Sequence, residues 1–402
     1  MKPIKEKYLI ILTLALALLS LIETPFILNL GNRQKFSKFN DTIKLDNENL
    51  KLSIVSGRIH IDNNWSDAKS AGICTGGGTK SDPYVIEDLI IDGKGSGSCI
   101  FINNSDVYFR IENCMVYNSG TEWNGAGISL NHVNNGILTN NDCSNNEIAG
   151  IFLHNSNNTI ISDNAANENK HGIYLWYNCS DNIISGNTAN YNQEMGIIVY
   201  YSNNNDISSN TINNNVHGIW MWHCNKTNIL GNTAINNANY GIGLSEGKNH
   251  NVSGNTANGN TDTGISLFQS NNISISGNTA NGNDFTGISF YQSNNITVSG
   301  NIANKNRENG IYLTYHSNNN TISRNTFNDN HFGIYLDGKS NYNIVSENKL
   351  IGNDKCIKEE NCEGNIFENN ECVKRIILGY NLCVLLGIIF VVVIFTSKKI
   401  KK

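Results

Sequence analysis

A unit of about 23 residues recurs along this chain and constrains its fold more than any other feature. One copy, residues 264–286, reads GISLFQSNNISISGNTANGNDFT. The glycines that open successive units lie 22 to 24 residues apart, at Gly127, Gly150, Gly172, Gly196, Gly218, Gly241, Gly264, Gly287, Gly310 and Gly333. A period this regular over so many copies predicts a solenoid.

Each unit contains short strands with one buried face. The glycine is followed by Ile, a variable residue and a second apolar residue, as in Ile265 and Leu267. Apolar alternation at period two is typical of a strand that buries one face. A further aliphatic residue, such as Ile275, stands three positions before a recurrent Asn and marks a second strand. An Ala such as Ala280 suits a third inward position.

Asparagines form two columns five residues apart along the repeats. The first column contains Asn164, Asn187, Asn210, Asn232, Asn255, Asn278 and Asn301, and the second contains Asn169, Asn192, Asn215, Asn237, Asn260, Asn283 and Asn306. Asn tolerates positive φ, and its amide can bond the backbone or the Asn of the next coil. We therefore expect stacked Asn ladders at the bends of each coil.

These patterns predict an all-β fold, a parallel β-helix whose coils of about 23 residues stack about 4.8 Å apart. A leucine-rich repeat has a similar period, but its outer segment is often helical, and NTANGNTDT is a poor helix former. The preference for right-handed crossovers favours a right-handed coil.

The chain ends predict export and anchoring. Residues 1–30 have a basic start and an apolar run, which is typical of a signal peptide or a signal anchor. Residues 31–58 are interpreted as a linker, 59–126 as N-terminal capping coils, 127–353 as regular coils and 354–375 as a C-terminal cap. Residues 376–396 are apolar and long enough for a transmembrane helix, and a basic tail, 397–402, follows. The positive-inside rule then places the C-terminus in the cytoplasm and the β-helix outside the cell.

Cysteines and glycosylation motifs agree with an exported protein. Cys114 with Cys143, and a pair within Cys356, Cys362 and Cys372, are predicted disulfides. Cys179 and Cys224 occupy equivalent positions two coils apart, too far for a disulfide. The sequons that we single out as glycosylation candidates begin at Asn157, Asn178, Asn225, Asn272, Asn295 and Asn319.

The repeated GIxL, NxxISxNxA and NxxxxG pattern, with the SDPYVIEDLIIDG segment before it, resembles a known family. Residues 59–370 are similar to right-handed parallel β-helix proteins of the NosD-like, carbohydrate-binding and sugar-hydrolase (CASH) class. The resemblance implies the fold. It also implies a role among polysaccharide-binding surface proteins, hydrolases, epimerases and an accessory protein of nitrous oxide reductase maturation.

Aromatic residues occupy many outward positions of the first strand of each coil. Because positions one and three after the glycine point inward, positions two and four point outward. These outward positions hold Phe152, His154, Tyr174, Trp176, Ile198, Tyr200, Trp220, Trp222, Phe268, Tyr291, Tyr312 and Tyr335. Contiguous exposed aromatics are typical of an interaction surface. The alternative is that they only stabilise the sheet or are covered by a loop.

Catalytic and metal signals are weak. Carboxylates gather before the glycines, at Glu147, Glu194, Asp262, Asp284 and Glu308, where two coils could bring them to glycosidase spacing. Acidic residues in solvated turns are the simpler interpretation. His171 and His217, and His223 beside Cys224, lack a third ligand at a fitting spacing. We expect no metal and no cofactor, and we assign no catalytic residue.

The sequence therefore predicts a cell-surface, single-pass membrane protein that binds a polysaccharide or a surface protein. The predicted glycan-binding residues are Tyr174, Trp176, Tyr200, Trp220 and Trp222. The alternatives are an enzyme that acts on polysaccharide, as hydrolase, lyase or epimerase, and a structural spacer. A net charge of −5 argues against a nucleic-acid binder.

Overall fold

The computed structural model describes residues 53–54 and 57–374. These residues form a right-handed parallel β-helix of about 13 turns, which confirms the predicted fold. The predicted signal segment 1–30 and membrane helix 376–396 lie outside the described residues. Within the described ranges, no helix is long and apolar enough to cross a membrane.

Two sheets of thirteen parallel strands run the length of the solenoid. The long-strand sheet consists of β2 (Ile59–Asp62), β5 (Ile100–Ser105), β8 (Ala126–Val133), β10 (Ala149–His154), β12 (His171–Trp176), β14 (Met195–Tyr200), β16 (His217–Trp222), β18 (Ile242–Ser245), β20 (Thr263–Phe268), β22 (Thr286–Tyr291), β24 (Asn309–Thr314), β26 (Phe332–Leu336) and β29 (Lys355–Glu359). The short-strand sheet consists of β3 (Tyr84–Glu87), β6 (Phe109–Glu112), β9 (Gly136–Thr139), β11 (Ile160–Ser162), β13 (Ile183–Ser185), β15 (Asp206–Ser208), β17 (Asn228–Leu230), β19 (Asn251–Ser253), β21 (Ser274–Ser276), β23 (Thr297–Ser299), β25 (Thr321–Ser323), β27 (Ile344–Ser346) and β30 (Ile366–Glu368).

A third line of parallel pairing closes each coil. At its ends it contains β1 (Ser53–Ile54), β4 (Leu89–Asp92), β7 (Met115–Tyr117), β28 (Lys349–Ile351) and β31 (Glu371–Val373). Single bridges join one coil to the next between them, for example Thr256 with Thr279. The inward residues of all three lines, such as Ile265, Ile275 and Ala280, are fully buried and form one continuous core.

The repeat glycine is required by space. A Cβ atom on Gly264 would lie 2.7 Å from the carbonyl oxygen of Gly287 and 2.9 Å from the Cβ of Ala280. Gly287 faces the same crowding from Gly310 and Ala303. Because contacts this short force neighbouring backbone to move, the closest approach of two coils admits only glycine there.

Both predicted Asn ladders are confirmed, and Asn278 shows how one rung works. Its Oδ1 accepts bonds from the backbone N–H and the Nδ2 of Asn255, both at 2.9 Å. Its Nδ2 donates to the carbonyl of Val252 and to the Oδ1 of Asn301, again at 2.9 Å. The side chain is buried, so each rung satisfies backbone groups that would otherwise lack partners.

Two further ladders occur at the other bend, and the sequence analysis did not find them. Asn182, Asn205, Asn320 and Asn343 form one column, and the Nδ1 of His250 takes the same role by accepting the N–H of Thr227 at 3.2 Å. Serine hydroxyls form the second column, for example Ser270 and Ser293.

The two ends of the solenoid are closed differently. At the start, α1 (Trp65–Ser70) places Trp65 over the first coil. There the indole stacks on Tyr84, with ring centroids 5.0 Å apart, and donates to the Oγ of Ser105. At the other end, a disulfide joins Cys356 to Cys372 across the last coil, as predicted.

The predicted Cys114–Cys143 disulfide is wrong, since both residues are buried free thiols. Cys114 lies level with Asn141, whose Oδ1 accepts its N–H, and thus occupies the ladder column. Cys143 lies two residues further along the coil, in the column of inward Ala residues. Cys179 and Cys224 are also free and buried, as expected for residues two coils apart.

Candidate functional site

The five predicted binding residues come together on the outer face of three adjacent strands, β12, β14 and β16. Two rows cross these strands in register. Tyr174 pairs with Ile198 and then Trp220, while Trp176 pairs with Tyr200 and then Trp222. All five aromatic side chains are half-buried. We call Tyr174, Trp176, Tyr200, Trp220 and Trp222 the aromatic strip.

Two pairs of rings within the strip are in contact. The centroids of Tyr174 and Trp176 are 6.4 Å apart, and those of Tyr200 and Trp222 are 4.9 Å apart in an edge-on arrangement. Ile198, which the sequence analysis expected to point outward, is only 8% exposed and fills the row between Tyr174 and Trp220. The strip thus spans three adjacent coils, with Ile198 between the rings of Tyr174 and Trp220.

Trp220 extends the strip onto the following coil. Its indole lies over Gly243, where an added Cβ would be 2.4 Å from the ring. It stacks on Tyr240 with an angle of 16° between the rings and lies near Phe268, at 6.1 Å. Gly243 therefore leaves the space that lets the Trp220 ring lie flat on the sheet.

An inserted loop covers one end of this face. Phe152, predicted to be exposed, is fully buried, because Trp123 from the loop at 118–125 packs on it with centroids 5.6 Å apart. The same indole reaches Trp176 at 5.6 Å and His154 at 5.5 Å. Trp123 itself remains 53% exposed. Trp123 therefore borders the strip on one side. The repeat pattern did not predict this contact.

Two tyrosines just after the strands add exposed rings that were also missed. Tyr177 and Tyr201, both at positive φ, are 52% and 39% exposed and lie 5.5 Å apart. Tyr201 contacts Tyr200 at 4.6 Å and stacks on His223 at 4.5 Å. Their recurrence five residues after a repeat glycine was the available signal in the sequence.

Carboxylates border the strip on both sides. On the side where the strands begin, Glu194 lies 3.6 Å from the Nζ of Lys170 and 3.6 Å from the Nε2 of His171. Asp262 lies further along the same border, close enough to Tyr240 to contribute, after burial, to the raised pKa of that hydroxyl. On the side where the strands end, Glu246 accepts a 2.9 Å bond from the Nε1 of Trp222. Its second oxygen lies 3.3 Å from the Nε2 of His223.

The buried polar groups of this face are neutral at neutral pH. Burial lowers the pKa of His171 to about 4, and this effect exceeds the opposing attraction of Glu194. Burial also lowers the pKa of His217 and raises those of Tyr174 and Tyr240 to about 12. The imidazoles therefore add no positive charge, and the tyrosines keep hydroxyl groups that can donate hydrogen bonds.

The other candidate side chains do not converge on a reactive centre. Glu147 and Asp284 are exposed in turns. Glu308 is half-buried and directly precedes β24, several coils away from the strip. The thiol of Cys224 points into the core, where it contacts the carbonyl of Val199, whereas His223 lies outside. Across the described part of the chain, no group of three His, Cys, Asp or Glu side chains is placed to hold a metal ion.

The structure distinguishes among the glycosylation candidates. Asn178, Asn272, Asn295 and Asn319 are exposed. Asn157 and Asn225 are half-buried and bonded to neighbouring coils, since Asn157 Oδ1 accepts the N–H of Ser180 and Asn225 Nδ2 donates to Asn203.

Comparisons with known proteins agree with this architecture. The sequence family described as periplasmic copper-binding protein (NosD) matches residues 80–261 and 244–376. In the comparison with curated proteins, no sequence matches significantly.

Solved structures share the fold at low identity. The mannuronan C-5 epimerase AlgE6 A-module from Azotobacter vinelandii is 14% identical, with 76% of this chain and 94% of that chain covered and a TM-score of 0.58. A double mutant of the periplasmic alginate epimerase AlgG is 16% identical, with coverages of 72% and 85% and a TM-score of 0.52. The pre-mature gene product 12 of bacteriophage phi29 is 13% identical, with coverages of 80% and 52% and a TM-score of 0.56.

Proposed function

The chain belongs to the NosD family of β-helix proteins, and from that premise we propose that it binds a glycan at the cell surface through the aromatic strip. The observation that carries this proposal is the row of half-buried rings on β12, β14 and β16, in register and open to solvent. Flat rings with an apolar face stack on the apolar faces of sugar rings, and their hydroxyl and indole groups bond sugar hydroxyls.

The geometry of the strip suits an extended chain. Neighbouring coils are about 4.8 Å apart, a step comparable with the length of one sugar residue. A polysaccharide that lies along the solenoid axis would therefore meet Trp176, Tyr200 and Trp222 on successive coils. Two of the similar solved structures are named as epimerases of mannuronan and alginate, which supports a carbohydrate ligand without identifying it.

Copper, which the family description names, finds no fitting site among the described residues. The set closest to a soft-metal site is the column of His171, Met195 and His217 on adjacent strands. The ring of His217, however, packs against Trp220 and against Tyr240 of the following coil, at 5.1 and 5.2 Å. We derive no copper-dependent step.

The proposed location follows from the family and from the chain ends. The family description is periplasmic, in agreement with a β-helix outside the cytoplasm. The apolar segment 376–396, followed by four lysines, supports a C-terminal membrane anchor with a cytoplasmic tail. The glycosylation of Asn178, Asn272, Asn295 and Asn319 belongs to the same proposal.

The test is glycan binding by the full chain in detergent, measured on a glycan array and then by titration. The double substitution Trp176→Ala and Trp222→Ala should abolish binding, because it removes two of the five rings. The control is Tyr191→Ala with Tyr342→Ala, two exposed rings outside the strip, at 59% and 58% exposure, which should leave binding unchanged.

Binding that survives the tryptophan substitutions in a folded protein would refute the proposal. An absence of binding by both proteins to every glycan would favour a structural spacer or a protein partner.

A further inference from the structure

Aromatic side chains continue along the outer face of the long-strand sheet beyond the strip. The outer row that contains Trp222 passes in register through Ser245 to Phe268 on β20 and Tyr291 on β22. Phe268 and Tyr291 are half-buried, with ring centroids 6.3 Å apart. Tyr315, which directly follows β24, is 56% exposed and lies 4.6 Å from Tyr291. We call Phe268, Tyr291 and Tyr315 the distal rings.

Trp220 connects the strip to the distal rings across the coil between them. The strand of that coil, β18, presents Gly243 and Ser245 on its outer face. Because Gly243 has no side chain, the indole of Trp220 lies over it. The indole reaches Tyr240 at 5.8 Å and Phe268 at 6.1 Å, and Tyr240 lies 5.6 Å from Phe268. Ring contacts therefore join the two groups.

Amide groups border the distal rings. Gln269 directly follows Phe268, and Gln292 directly follows Tyr291. The Nε2 of Gln269 donates to the Oε1 of Gln292 at 2.7 Å. Glutamine amides carry no charge, and they both donate and accept hydrogen bonds, as sugar hydroxyls do. Rings with amides at their edge offer stacking and hydrogen bonding to the same sugar.

In the other direction the same row is polar. From Trp176 it passes in register to His154, Asn131, Asn103 and Asp62. The Nδ1 of His154 lies 2.7 Å from the Oδ1 of Asn131, and Asn131 donates to Asn103 at 2.9 Å. Asn103 donates to Asp62 at 3.0 Å. In this row the aromatic surface therefore continues toward the C-terminal end of the solenoid and not toward the N-terminal end.

From this continuity, and resting on the proposed glycan-binding function, we propose that the distal rings form a second subsite, and that the ligand is a long linear polysaccharide lying along the solenoid axis across both subsites. The path leads from β12 through β14, β16, β18, β20 and β22 to β24. At about 4.8 Å per step this distance is about 29 Å, which corresponds to about seven sugar units. A chain of that length engages both subsites at once, and the second contact, being intramolecular, raises its affinity.

The experiment measures the affinity of the full chain in detergent for β-linked linear oligomers of two lengths, trimers and heptamers. The oligomers are made of glucose, N-acetylglucosamine or mannuronate, so that neutral, acetylated and acidic chains are all present. For the sugar that binds, the heptamer should bind at least about tenfold more tightly than the trimer, because only the heptamer spans both subsites.

The substitutions Phe268→Ala and Tyr291→Ala, made together, separate the second subsite from the strip. The heptamer should lose at least about tenfold in affinity, whereas the trimer, which the strip binds, should bind as before. A longer oligomer has more registers on the strip in both proteins, so the loss on substitution reports the second subsite alone. Tyr315→Ala, at an exposed ring, should give a smaller loss for the heptamer. The control, Tyr191→Ala with Tyr342→Ala, should change neither affinity.

The failures of the two proposals are distinguishable. A heptamer affinity that is unchanged by Phe268→Ala with Tyr291→Ala would overturn the second subsite, and the strip would stand if Trp176→Ala with Trp222→Ala still abolished binding. Heptamer binding that survives the two tryptophan substitutions would refute the strip itself. No binding of any oligomer at either length would overturn both proposals.

Discussion

The Asn ladders and the aromatic strip lie on the same coils and follow opposite rules. In the ladder, Asn255, Asn278 and Asn301 are identical because each amide bonds the backbone and the amide of its neighbour. On the outer face of the long-strand sheet, equivalent positions hold side chains as different as Trp220 and Gly243. Where a residue completes a bond for the adjacent coil it repeats, and where no such bond exists its identity is free to vary.

This difference identifies where function can reside. A ladder residue can be exchanged only for one that still supplies the acceptor, as His250 does, because any other side chain leaves a buried backbone group of the preceding coil without a partner. A strip residue contacts solvent and other side chains. Many different side chains at its position are therefore compatible with the same sheet. The accumulation of rings at β12, β14 and β16 is therefore not required by the solenoid itself.

The largest expected effect in this comparison is that of a ladder substitution. Asn278→Ala leaves the N–H of Asn255 and the carbonyl of Val252 without their bonds inside the protein. We expect a loss of about 2–5 kcal/mol in the free energy of unfolding, measured by urea denaturation. Ser274→Ala, at an exposed position of the same coil, should change it by less than about 0.5 kcal/mol.

A loss below about 1 kcal/mol for Asn278→Ala would mean that water replaces the amide, and the ladder would then not explain the repetition.

The repeating part of the fold was readable from the sequence because each requirement recurs in every coil. The repeat glycine, the inward aliphatics and the two Asn columns each occur for one physical reason. The pattern is visible because the unit recurs in ten copies. The sequence analysis did not identify His250 as a ladder residue. Its ring nitrogen accepts the hydrogen bond that an Asn amide oxygen accepts in other coils, although the two side chains are dissimilar. Gly247 makes room for this ring, since an added Cβ would be 2.4 Å from its Nε2.

The candidate site was only partly predictable, because its decisive contacts occur once. The strip residues follow from their outward positions, but the burial of Phe152 depends on Trp123, which belongs to an insertion outside the repeat. The Cys114–Cys143 prediction failed for a related reason. The two thiols lie on neighbouring coils but at different positions around the coil, Cys114 in the ladder column and Cys143 in the column of inward Ala residues.

A smaller effect tests whether His250 is a true ladder member. Burial lowers its pKa to about 4 from the usual 6.5, so between these values the unfolded chain binds a proton that the native protein does not. Stability therefore falls as the pH decreases from about 6.5 toward 4, by up to about 3 kcal/mol from this residue. His250→Asn supplies an acceptor that does not titrate and should reduce that decline, measured by denaturation at several pH values.

At a pH well above 6.5, His250→Asn should have little effect, because both side chains accept the N–H of Thr227. His171, with its pKa also lowered to about 4, serves as an internal reference: part of the acid sensitivity should remain in the variant. An unchanged pH profile would show that His250 is not the neutral acceptor of the ladder.

The smallest effect is expected on the outer face. Trp222→Ala removes a half-buried ring from solvent-facing contacts with Tyr200 and Glu246, and leaves every ladder bond and inward side chain in place. We expect a stability loss of about 1 kcal/mol, well below the cost of truncating a core tryptophan, while glycan binding is lost. A stability loss as large as that of Asn278→Ala would reverse the comparison. The strip would then stabilise the sheet as the ladder does, and the interpretation of the protein as a structural spacer would gain support over that of a binding surface.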